Sequence, residues 1–164
     1  DSMLITNKLI RENRNFQAPK LLKTFLLLFS RDINKLTLAK DTIKSISVDN
    51  INNHFHKYLE VAKLWINNDL KNLLNKLELI IKENPKDIFA IRLFHFNNIF
   101  LGIDGKFLDK HKEILSKWSE NDQHYNLLLG MTSYAYEENN LIDKAKFLAV
   151  NSLKQSSNDN CIHV

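Results

Sequence analysis

Six histidines, one cysteine and one adjacent pair of glutamates are the residues of this chain whose types could do chemistry. His54 and His56 stand two apart. On a helix that spacing turns them about 200° from one another, so they cannot share a metal ion. Glu137 and Glu138 are adjacent, which separates them by about 100° and keeps them from converging as an acid/base pair. His111 and His124 are isolated in sequence and read as surface or packing residues. Cys161 has no base at a recognisable spacing and sits near the end of the sequence, a poor setting for a nucleophile. No phosphate-cradling glycine loop and no serine elbow is present. His163 would belong to an i, i+4 metal pair only if a second histidine followed Val164. His95, flanked by Phe94 and Phe96, is either a satisfied structural histidine or a ligand contact on a groove-lining helix. The expectation is no catalytic residue, no cofactor and no metal site, with His163 the one remote metal candidate.

The elements that would position these residues are helices. Gly 3 and Pro 2 are too few for the tight turns of a sheet protein, whereas asparagine is plentiful enough to join helices. Hydrophobic residues at 44% and charged residues at 26% match ordinary globular proteins. The net charge is +4, but only Arg11, Arg14, Arg31 and Arg92 carry the guanidinium forks that nucleic-acid readers favour, and the lysines alternate with Asp and Glu. A solvated mixed surface is expected, and nucleic acid is not the partner this composition favours. One cysteine excludes a disulfide framework and fits a reducing compartment. The longest apolar run, residues 21–29, is broken by Lys23 and falls well short of the roughly 20 residues of a membrane span. A cytoplasmic protein with no membrane partner is expected.

Apolar residues recur at helical spacing along most of the chain. Tyr58, Val61, Ala62, Trp65 and Ile66 form one stripe, and Leu70, Leu73, Leu74, Leu77, Ile80 and Ile81 the next. Asn67-Asn68-Asp69 between them is long enough only for an interhelical turn, with Asp69 suited to cap the second helix. Pro85 cannot sit inside a helix and drives Asn84 out of the helical region, so that helix ends at Asn84. Asp87 then caps a helix from Ile88 to about Leu101. Pro19 reads as a first-turn proline opening a helix through Ser30, paired with a helix from Ile33 to Ile46.

Turn signals at Asp32, Asp69, Asp104 and Asn140 are spaced by 37, 35 and 36 residues. A period near 35 built from paired helices is the signature of an alpha-solenoid. The pattern fits the tetratricopeptide repeat at the small residues where two helices cross, Ala62, Ser133 and Ala145, and at the aromatics one turn later, Trp65 and Tyr136. It fits poorly over about 88–118 beyond the helix-break-helix outline. The predicted fold is all-α: a solenoid of antiparallel hairpins, about eight or nine helices, in one repeat domain with hairpins near 17–47, 51–84, 87–118 and 121–156. Phe147, Leu148, Val150 and Leu153 form an apolar face that a further repeat would cover, which makes self-association through that face an expectation.

From about Tyr58 onward the chain carries "ENPKDIFAIRLFHF", then "FLG" at 100–102, "LSKWS" at 115–119, "YNLLLGM" at 125–131, and Glu137-Glu138 ahead of "NNLIDKAK". In this order and spacing the stretches resemble the tetratricopeptide repeat protein 38 family over about two thirds of the chain. The resemblance implies an all-helical repeat protein with no firmly assigned reaction, of which these residues would be an N-terminal portion. It also marks a departure: the family often carries His-Asp where this chain has His95-Phe96.

The function these readings predict is a non-enzymatic scaffold that binds a protein or peptide in a concave groove. The groove contacts would be Lys63, Arg92, His95, Tyr134 and Glu137, polar or amphipathic residues on predicted first helices. Arg92 would pair a carboxylate and Tyr134 would offer a flat contact. The alternatives are a helical-repeat reader of single-stranded RNA, and part of an enzyme or metal site completed by further C-terminal repeats with His163 contributing.

Overall fold

The computed structural model describes residues 2–13, 15–49, 52–102 and 105–155. Among these residues the chain forms nine α-helices and no strand: α1 (Ser2–Glu12), α2 (Ala18–Phe29), α3 (Ile33–Lys44), α4 (Asn53–Ile66), α5 (Leu70–Glu83), α6 (Ile88–Leu101), α7 (Phe107–Leu115), α8 (Tyr125–Glu137) and α9 (Ile142–Gln155). The all-helical fold of packed neighbouring helices expected from the sequence is the fold adopted. The turn at Asp104, Cys161 and His163 lie outside the described residues. No helix among those described is long and apolar enough to cross a membrane.

The helix boundaries follow the local chemistry. Asp32, Asn52 and Asp87 each cap the helix that follows, accepting from the backbone N–H of Asn34, Phe55 and Ala90, which satisfies donors the helix itself leaves open. Pro19 occupies the first turn of α2. Arg31, Asn68, His124 and Asn140 take left-handed backbone at interhelical connections, where Gly102 does the same after α6. Asparagine tolerates that conformation best among non-glycine residues, so the asparagine-rich composition substitutes for the missing glycines at two of these turns. The unforeseen element is α1, a short helix that packs on α2.

The chain divides into two compact units, Asp1–Lys76 and Leu77–Val164, with α5 running across the division. In the first unit α2 packs against α1, α3 and α4, and α3 against α4. Its core is aromatic and aliphatic. Phe25 stands edge-on to Tyr58 at 6.2 Å, and Trp65 receives Phe29 at 5.3 Å and Phe25 at 6.3 Å, separations at which aromatic pairs attract beyond their buried area. Ala62 of α4 is fully buried beside this cluster. The buried polar residues here are Thr6 and Thr24, whose hydroxyls donate to the carbonyls of Ser2 and Lys20 one turn back.

In the second unit α8 is central, packing against α6, α7 and α9. The break before α6 is tied down: Trp118 Nε1–H donates to the Pro85 carbonyl at 2.7 Å, and Lys86 Nζ meets the Asp122 carboxylate at 2.6 Å. The α8–α9 crossing is closed by small residues, as the repeat spacing predicts. Ser133 and Ala145 are buried there, and the Ser133 hydroxyl donates to the Ala145 carbonyl at 2.8 Å. A second serine, Ser152 of α9, donates to the Asn126 carbonyl of α8 at 2.7 Å.

Candidate functional site

Helix α6 buries Ala90, Ile91, Leu93, Phe94, Asn97 and Asn98. Residues three apart share a helix face, so Arg92 and His95 lie together on its outward side, Arg92 exposed and His95 half-buried. Helix α8 buries a run from Leu128 to Ser133 and then Ala135. This leaves Tyr134 and Glu137, again three apart, half-buried on the side next to α6. The two faces meet where the His95 and Tyr134 rings pack edge to face at 5.5 Å. Four of the five residues singled out from sequence are therefore brought onto one surface of the second unit. Lys63 belongs to the first unit, exposed on α4, where its charge helps hold the Glu60 carboxylate low behind the larger effect of the Lys76 hydrogen bond.

Behind His95 lies a residue whose role only the fold reveals. His111, fully buried on α7, places Nε2 3.0 Å from His95 Nδ1. Phe107 packs against both rings, at 5.4 Å from His95 and 4.6 Å from His111, and Phe94 lies 6.4 Å from His111. Sequence spacing read His111 as isolated, a packing or surface residue. The signal that it faces inward was its place in Phe107-Leu108-His111-Ile114, the apolar stripe that α7 buries. No spacing rule could pair it with a residue 16 positions away.

The pair is neutral. Burial pushes His95 down to about 4, with the Arg92 charge adding to the effect. Burial pushes His111 well below the ordinary histidine range, and His95 lowers it further. A neutral imidazole has one N–H and one acceptor nitrogen, so the two tautomers place different groups at the surface. His111 Nδ1 has no hydrogen-bond partner among the described residues. A buried N–H left unmade costs more than an unused lone pair, so the favoured arrangement protonates His111 on Nε2. That N–H donates to His95 Nδ1, and His95 then presents an Nε2–H donor toward the half-open side.

The rim carries both signs. Arg92 supplies a fixed cation, while Glu137 and Glu138 supply carboxylates. Tyr134 is raised above its ordinary value by burial first, then by a hydrogen bond to Glu138 and the charges of Glu138 and Glu137, so it stays a neutral phenol that can accept or donate. Such a surface can read a polar backbone and pair a carboxylate. Among the described residues no group of three or more His, Cys, Asp and Glu is gathered as metal ligands. His54 and His56 are exposed on α4, His56 beside Glu60 at 4.0 Å, and His124 is exposed at the start of α8. No protein-family model matches the chain, and no solved structure matches it.

Proposed function

We propose that this chain is a non-enzymatic scaffold of tetratricopeptide-like hairpins, akin to the tetratricopeptide repeat protein 38 family it resembles, that holds an extended peptide against α6 and α8. One observation supports this reading most directly. Arg92 and His95 on one helix and Tyr134 and Glu137 on its neighbour form a half-exposed polar face, backed by a neutral imidazole pair that cannot be spent as a charge. Arg92 pairs a carboxylate of the peptide, His95 Nε2–H donates to a peptide carbonyl, and the Tyr134 ring gives a flat contact. The reading rests on the second unit alone and does not need Lys63.

The test is a fluorescent peptide library titrated against the whole chain and against the Arg92→Ala/Tyr134→Ala variant. Peptides with an acidic residue next to an apolar one should be retained, and the variant should lose at least about ten-fold in affinity, the loss expected for a hot-spot pair. Equal retention by both proteins rejects this face as the binding surface. Retention of single-stranded RNA that weakens steeply between about 50 and 200 mM salt would replace the peptide reading with the RNA one.

A further inference from the structure

Helix α9 buries Ala145, Ala149 and Ser152 toward α8 and leaves its opposite side bare. There Asp143, Phe147, Val150 and Lys154 are all exposed, Phe147 at 67% and Val150 at 43%. Their spacing of four, three and four residues puts them within about 60° of one another on the helix, the spacing of a coiled-coil seam. The stripe has an acid at its N-terminal end, a base at its C-terminal end and two apolar side chains between. It is therefore complementary to itself when reversed.

We infer that a second copy of this chain covers this face, with α9 laid antiparallel on α9 about a two-fold axis midway between Phe147 and Val150. In that register Phe147 faces Val150 of the second copy, and Asp143 faces Lys154 of the second copy, each pair formed twice. An isologous interface requires this reciprocity, and an unrelated apolar helix would have no reason to match the charges at both ends. A cavity of about 320 Å³ lies beside the stripe, lined by Leu115, Tyr136, Asp143, Lys144, Phe147 and Leu148.

Light scattering and sedimentation of the whole chain from about 1 to 300 µM, the range in which weak dimers declare themselves, provide the test. The mass should rise from 19.2 kDa toward twice that value. Phe147→Glu should hold it at the monomer with unchanged far-ultraviolet circular dichroism, and Val150→Glu repeats the measurement should the first variant lose helix. Asp143→Lys and Lys154→Asp should each weaken the dimer at least ten-fold, because each sets like charges together at both ends. Mixed one to one, these two variants should recover wild-type dimerisation, since the basic ends of one meet the acidic ends of the other. A monomer throughout the range overturns the inference, as does a dimer indifferent to all four substitutions. Failure of the mixture to recover overturns the antiparallel register.

Discussion

The two compact units are built from the same kind of helix, yet differ in what they bury. The first carries 13 basic against 7 acidic residues and the second 10 against 12, so +6 and −2 stand side by side in one chain of net charge +4. The larger difference is inside. The first unit buries Phe25, Tyr58 and Trp65, and its buried Thr6 and Thr24 hydroxyls bond within their own helices. The second buries Asn97, Asn98, His111, Thr132, Ser133 and Ser152. An apolar core resists changes of pH and is indifferent to what lies at its surface. A core containing a neutral histidine pair loses stability as that pair is protonated, and a polar interior that reaches the surface at His95 is a natural support for a binding face.

That comparison can be broken most sharply at its apolar end. Phe25→Ala should cost the first unit about 3–5 kcal/mol through lost burial and the cavity left among Tyr58, Trp65 and the surrounding aliphatics. Urea unfolding followed by tryptophan fluorescence reads it through Trp65, and a loss below about 1 kcal/mol would mean that the aromatic cluster is not the core described.

The histidine pair makes the next largest prediction, confined to the second unit. Its folded-state pKa values lie below the unfolded value near 6.5, so the unfolded chain takes up protons first as pH falls. Stability is fully present above about pH 6.5 and is lost down toward pH 4, by roughly 3 kcal/mol from His95 alone. His111 acts in the same direction. Unfolding midpoints recorded between pH 7 and 4 should fall for the wild type and stay flatter in His95→Gln/His111→Leu. Parallel curves for the two proteins would remove the pair as the acid-sensitive element.

Smaller effects sharpen the picture locally. Ser133→Leu should cost about 1–3 kcal/mol, because the side chain must enter a closed crossing and the hydroxyl bond to Ala145 is lost. Ser133→Ala should cost nearer 1 kcal/mol. Asp87→Ala removes the α6 cap and should cost about 1 kcal/mol, measurable as a lowered thermal midpoint with the helix content otherwise kept.

Much of this protein was legible before any coordinates. Asn84 and Pro85 end α5, Asp87 opens α6 and α6 spans Ile88–Leu101, as propensity and capping require. Those are local decisions made within a few residues by proline geometry and side-chain caps. The α9 stripe was legible in part: its apolar residues were visible, while the match of Asp143 to Lys154 needed the knowledge of which side α8 covers. Arg92, His95, Tyr134 and Glu137 could be nominated because each is a polar or amphipathic residue on a predicted first helix of a hairpin.

What only the tertiary structure decided is where helices meet. Composition and period determined the helical character of eight of the nine described segments, α1 being the exception. They did not determine that α7 brings His111 under His95, nor that Lys63 falls in a different compact unit from the other four. A hydrophobic period says which face of a helix turns inward, but it is silent on which neighbour that face finds. That choice is made by side-chain fit across the crossings, where Ser133, Ala145 and Phe107 set how closely the helices approach.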